Sequence, residues 1–261
     1  MALAIDQTPA LVETLVAAAV TTGTFTTGTS NEVVIAMCAS DGFFSGAGTT
    51  FTISDNFSGS WNLIKRNNTT KGTCEAWYAL VTSVITNGTV TATHSNGTSN
   101  QISLQVITLS GHNTSTPIGN TDGAGITSAA LTDSISTFTD NSWVFASTSE
   151  QGDNVTTAVG SGQTKISQST ASATHGPATY WRQTSTTTPS GGSVTMNLTT
   201  PATSTADMII FEIVPPGGVT TLAVRPTADN TTPGDTETES LISTISISFL
   251  GLVAGPRLVD N

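Results

Sequence analysis

The stretch "GTCEAWYALVTSVITNGTVTATHSN", residues 72–96, returns in altered form as "GPATYWRQTSTTTPSGGSVTMNLTT" at residues 176–200. At a constant offset of 104 positions several identical residues coincide, among them Gly72 with Gly176, Trp77 with Trp181, and Val90 with Val194. A shared pattern of this length within one chain indicates two units built on the same plan.

The repeat extends in both directions from this stretch. At the same offset Leu104 falls on Met208, and "NEVVIAMCAS" from Asn31 is echoed by "NSWVFASTSE" from Asn141 at an offset of 110. Alternating residues divided by Gly- and Ser-rich turns are typical of strands, so each unit is predicted to hold about five or six of them. The dipeptide Asn87-Gly88 suits a type I′ hairpin turn.

The predicted fold is all-β: an antiparallel β-sandwich of jelly-roll type with an internal pseudo-repeat. Twin sandwiches packed side by side are possible. A single two-sheet sandwich shared by both halves fits better, because each half alone has few large apolar residues. Trp77 and Trp181, which occupy equivalent positions, are expected to be buried.

The sandwich is predicted to span residues 25–216, with halves at about 25–118 and 126–216. Residues 1–24 are expected to form an N-terminal arm outside it. A Pro-Pro-Gly-Gly sequence ends the sandwich, and residues 217–261 are predicted to be a short C-terminal β extension, since "LISTISISFLGL" alternates. Both end segments are apolar enough to need burial.

Composition restricts the function classes. Charged residues make up 10% of the chain, against ~25% in typical domains, and the net charge is −11. Binding to a phosphate backbone requires a clustered basic face, and the nearest approach to one is the group Lys65, Arg66 and Lys71. One basic hairpin on an acidic chain predicts no nucleic-acid binding.

The N-terminal sequence predicts neither export nor membrane insertion. It lacks a positively charged start, and Asp6 and Glu13 interrupt its apolar residues, which is unlike a signal peptide or a membrane span. Synthesis and folding in a cytoplasm are therefore expected. Cys38 and Cys74 are accordingly predicted to be buried, reduced and unpaired.

No catalytic, cofactor-binding or metal-binding residues are predicted. The chain has no G-x-S-x-G nucleophile motif, and no histidine pair has zinc-ligand spacing. The histidines are expected to be solvated in loops: His94, His112 and His175. The strand carboxylates are expected to face outward: Glu32, Glu75, Glu150 and Glu212. An acidic loop is interpreted as solvated, with a Ca²⁺ site as the alternative; it contains Asp229, Asp235, Glu237 and Glu239.

Two interpretations are open for the tryptophans. Trp77 and Trp181 are equivalent in the repeat, and Trp61 and Trp143 each lie in or beside a strand. Equivalent aromatic positions favour core packing, because each ring can bury a large apolar area. A sugar-binding platform is the functional alternative.

The strand and turn rhythm "NEVVIAMCASDG…TFTISDNFSGSW…TCEAWYAL…NGTVTAT…LQVITLSG" resembles that of structural proteins of tailed-bacteriophage virions, over approximately residues 25–216. The resemblance implies a non-enzymatic capsid decoration (cement) or head-fibre subunit, located in the virion and in contact with the major capsid protein or another virion protein. It also implies a homo-oligomer, with a trimer favoured, whose apolar end segments contact neighbouring subunits. The alternative is a carbohydrate-binding adhesin module that recognises a host glycan.

Overall fold

Seventeen β-strands supply all the regular secondary structure that the computed structural model describes, and every pairing is antiparallel. The described residues are 2–41, 49–70, 72–96, 101–152, 155–169, 176–185 and 190–217. Within them no helix has the length and apolarity to cross a membrane. The predicted C-terminal β extension, with its acidic loop, lies outside the described residues except for Gly217.

The first half contains nine strands. They are β1 (Ala4–Gln7), β2 (Val12–Thr14), β3 (Ala19–Thr21), β4 (Glu32–Asp41), β5 (Phe51–Asp55), β6 (Asn62–Asn67), β7 (Gly72–Val81), β8 (Val90–His94) and β9 (Gln101–Ser110). Large sheet 1 has the order β1-β9-β4-β7-β6, with β2 also paired to β9. Small sheet 1 has the order β3-β8-β5.

The second half repeats this plan with eight strands. They are β10 (Ile118–Ala129), β11 (Thr132–Ser136), β12 (Trp143–Gln151), β13 (Ala158–Val159), β14 (Gln163–Gln168), β15 (Ala178–Gln183), β16 (Ser193–Thr200) and β17 (Ser204–Ile213). Large sheet 2 has the order β10-β17-β12-β15-β14, and small sheet 2 the order β11-β16-β13. One strand, β10, takes the place of β1 and β2 together.

Backbone geometry confirms the pseudo-repeat independently of strand order. Left-handed residues, which are uncommon unless the residue is glycine, recur at the repeat offsets. The pairs are Asn31 (φ 56°) with Asn141 (φ 59°), Ser58 (φ 63°) with Gly162 (φ 73°), and Asn87 (φ 51°) with Gly191 (φ 74°). The same turns are therefore built twice, even where the residue types differ.

The sandwich prediction is confirmed, but the described residues form four sheets rather than two. A middle core lies between the large sheets and includes Ile35 and Phe211. The first outer core lies between large sheet 1 and small sheet 1, and the second outer core lies between large sheet 2 and small sheet 2. The single two-sheet sandwich expected to be shared by both halves is therefore replaced by a sheet pair in each half. Both large sheets are buried on both faces, which explains the continuous apolar runs in β4 and β17.

The N-terminal residues belong to the sheets, in contrast to the external arm expected for residues 1–24. Ala4 lies opposite Ser110 and Val12 opposite Leu104, so β1 and β2 both pair with β9. Strand β3 likewise pairs with β8. These strands take the places of β10 and β11 but do not resemble them in sequence. The repeat therefore does not predict them.

The two repeat tryptophans occupy equivalent places but differ in burial. Trp77 lies opposite Ala36 and Trp181 opposite Ala146, the corresponding residues of β4 and β12. Trp181 is fully buried in the second outer core. Trp77 packs against the first outer core but stays partly exposed, so the prediction that both are buried is correct only for Trp181.

Both cysteines are free and buried, which confirms that prediction. Cys38 faces the first outer core, whereas Cys74 faces the middle core. Side chains on opposite faces of a sheet point apart, so these two thiols cannot reach each other to form a disulfide. Burial raises the pKa of both thiols above the ordinary cysteine value.

Candidate functional site

The strand carboxylates are buried, so the expectation that they face outward is wrong. Glu32, Glu75, Glu150 and Glu212 are each at most 4% exposed. Alternation along a strand gives an outward side only where one face of the sheet meets water. Both faces of each large sheet are covered here, so a carboxylate on either face must find partners inside the protein.

Glu75 on β7 is enclosed by donors in the first half. The Phe51 N–H donates to its Oε1 at 2.9 Å, and the Trp77 Nε1–H donates to its Oε2 at 2.7 Å. Arg66 forms a two-pronged pair with the same carboxylate, with Nε 2.6 Å from Oε1 and Nη2 3.3 Å from Oε2. These contacts join β5, β6 and β7 around one buried charge.

Asp207 on β17 connects the second half to the first. The turn between β6 and β7 surrounds its carboxylate: the Thr69 N–H donates to Oδ1 at 2.9 Å, and the Thr70 hydroxyl and the Gly72 N–H donate to Oδ2 at 2.7 and 3.1 Å. Asp207 is 0% exposed. A buried carboxylate of one half therefore orders a turn of the other.

Glycines allow the two halves to approach closely. A Cβ on Gly72 would lie 2.3 Å from the Ser149 Oγ, and a Cβ on Gly125 would lie 2.3 Å from the Thr69 Oγ1. Neither gap can hold a methyl group unless the facing residue moves. Gly72 begins the repeated stretch of sequence, and its lack of a side chain is needed for contact between the halves.

Glu212 on β17 accepts hydrogen bonds from described residues of its own half. The Phe138 N–H donates to its Oε2 at 2.7 Å, the Asn120 N–H to the same oxygen at 3.1 Å, and the Thr139 N–H to Oε1 at 3.2 Å. Three backbone donors from two segments thus converge on one carboxylate. This arrangement fixes the loop before β12 to the edge strand β10.

Two further carboxylates are less well supplied with donors. Glu150 accepts a hydrogen bond from the Ser204 hydroxyl at 2.7 Å, and Glu32 accepts one from the Thr29 hydroxyl at 2.8 Å. In each, the other carboxyl oxygen has no hydrogen-bond partner among the described residues. Burial raises the pKa of both glutamates above the ordinary value, because removal from water disfavours the charged form.

Two histidines expected to be solvated are also buried. His94 contacts Ser40, with Nε2 3.0 Å from the hydroxyl oxygen, and its ring lies against Phe51 at a centroid distance of 4.9 Å. His112 is 4% exposed. Burial lowers the pKa of both rings, because it disfavours the charged form. His175 lies outside the described residues.

The remaining candidates do not converge on one place. Of the basic group, Arg66 is engaged by Glu75, and Lys71 lies outside the described residues. Trp61 and Trp143 pack against core clusters. In the part of the chain that the structure describes, no group of three or more His, Cys, Asp or Glu side chains could hold a metal ion.

The buried carboxylates thus act as internal hydrogen-bond acceptors that fix turns, edge strands and the contact between halves. Sequence reasoning missed Asp207, the residue that joins the two halves. The sequence does indicate a buried role for Asp207. It lies in the run "ADMIIFEIV", which is too apolar for a strand with a solvent-facing side.

No protein-family model, curated protein sequence or solved structure matches this chain.

Proposed function

We propose that the chain is a non-enzymatic structural subunit of a virion, a capsid decoration (cement) or head-fibre protein that acts through protein–protein contacts. The main support for this proposal is that the buried carboxylates act as internal hydrogen-bond acceptors. Glu75, Asp207 and Glu212 are each enclosed by donors from neighbouring strands and turns. A hydrolytic carboxylate pair must instead face a substrate from two sides.

The layered architecture supports the same proposal. Each large sheet is covered on both faces, and polar contacts such as Asp207 with Thr70 and Ser103 with Tyr180 join the halves through their interior. Regions that open easily have few buried contacts and exposed backbone hydrogen bonds. A body in which most strands are covered suits a subunit that must keep its shape within a shell or fibre.

The proposed partners are further copies of the chain, with a trimer favoured, and the major capsid protein or another virion protein. The N-terminal strands pair within their own chain, which leaves residues 217–261 as the candidate contact segment. Its sequence "LISTISISFLGL" alternates like a strand. A strand with an open edge pairs readily with another, and in a symmetric assembly the next subunit can cover it.

Truncation after Gly218 tests this proposal. The shortened chain should keep its far-ultraviolet circular dichroism, since the strands all lie before that residue in the described part of the chain. It should no longer form the oligomer of the full chain in size-exclusion chromatography. Immunogold labelling should mark purified virions carrying the full chain and leave those with the truncated chain unmarked.

Two results would contradict the proposal in different ways. If the truncated chain assembles and labels virions like the full chain, residues 217–261 are not the contact segment. If the full chain itself is missing from purified virions, the chain is not a virion subunit.

A further inference from the structure

The two halves place carboxylates at equivalent corners, where β4 and β12 begin. Gly28 and Thr29 precede β4 as Phe138 and Thr139 precede β12, at the offset of 110. In the second half this corner holds the buried carboxylate of Glu212, which accepts hydrogen bonds from three backbone N–H groups. One negative charge there has a full set of donors.

The edge strands next to these corners also correspond. Ile5 on β1 lies opposite Leu109, and Ile118 on β10 lies opposite Ile213. Leu109 and Ile213 are related by the repeat offset of 104, so the residue after Ile5 corresponds to the residue after Ile118. Asp6 therefore takes the place of Gly119.

This substitution changes the charge of the corner. A Cβ on Gly119 would lie 2.3 Å from the Glu212 Oε2, so the second half has space there for only one carboxylate. The first half has Thr108 where the second has Glu212, and it carries two acidic side chains instead, Asp6 and Glu32.

Each of the two acidic side chains of the first half has few hydrogen-bond donors. The Gly28 N–H donates to the Asp6 Oδ2 at 2.6 Å, and the Thr29 hydroxyl donates to the Glu32 Oε1 at 2.8 Å. Glu32 is 1% exposed, yet its Oε2 has no hydrogen-bond partner among the described residues. The acidic pair of the first corner thus has fewer N–H donors than Glu212 has in the second, where the neighbouring exposed Asp140 has its own donor, the Ser190 N–H at 2.6 Å.

The carboxyls of Asp6 and Glu32 are neighbours, because their donors Gly28 and Thr29 are consecutive residues. Burial raises the pKa of Glu32, the Thr108 and Thr29 hydroxyls oppose this, and the adjacent Asp6 carboxyl raises the pKa further. Two neighbouring carboxylates repel each other unless a cation or a shared proton lies between them. Asp6 is partly exposed, so an ion from solvent can reach the pair.

We propose that Asp6 and Glu32 bind one hard divalent cation, with Ca²⁺ as the ion that the ligands favour. The acidic and hydroxyl groups at the corner offer oxygen ligands only, which suits a hard cation rather than zinc or copper. Ca²⁺ accepts irregular sets of carboxylate, hydroxyl and water oxygens, whereas Mg²⁺ demands near-octahedral geometry. The ion would hold β1 to the start of β4 by binding both carboxylates. In the second half, backbone N–H groups that donate to Glu212 make the equivalent connection.

Calcium titration of the full-length chain tests this site. After chelation, added CaCl₂ should raise the melting temperature, because a ligand that binds only the folded state stabilises it. The variants Asp6→Asn and Glu32→Gln keep the side-chain shape and should each lose that rise, together with one bound ion in isothermal titration calorimetry. Asp122→Asn, which removes an exposed carboxylate, is the matched control and should retain both.

The difference between variants matters rather than the total calcium bound, since the acidic loop at 229–239 is a separate calcium candidate. The proposal is wrong if CaCl₂ leaves the wild-type melting temperature unchanged, or if both corner variants keep the wild-type rise. A shared proton would give a different pattern: stability would fall as the pH rises through the raised pKa of Glu32, and Glu32→Gln would abolish this fall. That pattern without a calcium effect would also overturn the cation site.

Discussion

Replacement of Trp181 with alanine is expected to lower the free energy of unfolding by about 3–5 kcal/mol, the usual range for emptying a core aromatic site. The ring is fully buried in the second outer core. Its Nε1–H donates to the Oε1 of the half-buried Gln163 at 2.7 Å, so the substitution also removes this hydrogen bond. Urea denaturation followed by circular dichroism measures the loss.

Trp77→Ala is the matched comparison, because Trp77 holds the equivalent place in the first half. Each variant loses one indole hydrogen bond, since the Trp77 Nε1–H donates to the Glu75 Oε2 at 2.7 Å. The Trp77 ring is already partly exposed, so its truncation removes less buried surface and should cost less than truncation of Trp181. Equal losses, or a larger loss in Trp77→Ala, would show that ring burial does not decide the cost at these two places.

Asp207→Ala is expected to cost about 3–5 kcal/mol, because several buried donors lose a charged acceptor at roughly 1–3 kcal/mol each. The Thr69, Thr70 and Gly72 N–H groups all face this carboxylate. No other described side chain accepts a hydrogen bond from these N–H groups, so the turn between β6 and β7 should loosen. Urea denaturation again gives the loss in free energy.

Asp122→Asn provides the control for removing an aspartate charge. Asp122 is exposed on the edge strand β10, and surface substitutions usually change stability by less than about 0.5 kcal/mol. An Asp207→Ala protein as stable as Asp122→Asn would show that the carboxylate does not hold the two halves together.

The repeated stretch predicted most of the topology. The correspondence of Trp77 with Trp181, and of Asn87-Gly88 with Gly191-Gly192, locates equivalent strands and turns from the sequence alone. Such positions are informative because a left-handed turn or a packed ring restricts the residues that can occupy it.

The number of sheet layers is indicated by continuous apolar runs rather than by the repeat. Alternation predicts one solvent-facing side, but "VVIAMCA" in β4 and "MIIF" in β17 are continuous apolar runs. Runs of this kind are typical of strands covered on both faces. The same assumption placed Glu75 and Glu212 on the outside, where they would have needed no partners.

The N-terminal strands and the corner at Asp6 could not be predicted from the repeat. Edge strands pair through backbone groups and bury only part of their side chains, so β1 and β10 can differ in sequence and still occupy one place. The exchange of Gly119 for Asp6 is visible only once register assigns both residues to the same position.

Native-state hydrogen exchange on β4 and β12 most directly tests whether the two halves form one interlocked body. These strands face each other across the middle core. If the halves are interlocked, amides of both strands should exchange only through global opening, with free energies that agree within about 1 kcal/mol. Exchange of one strand at a distinctly lower free energy, while the other stays protected, would show that the halves open independently and would contradict the interlocked structure.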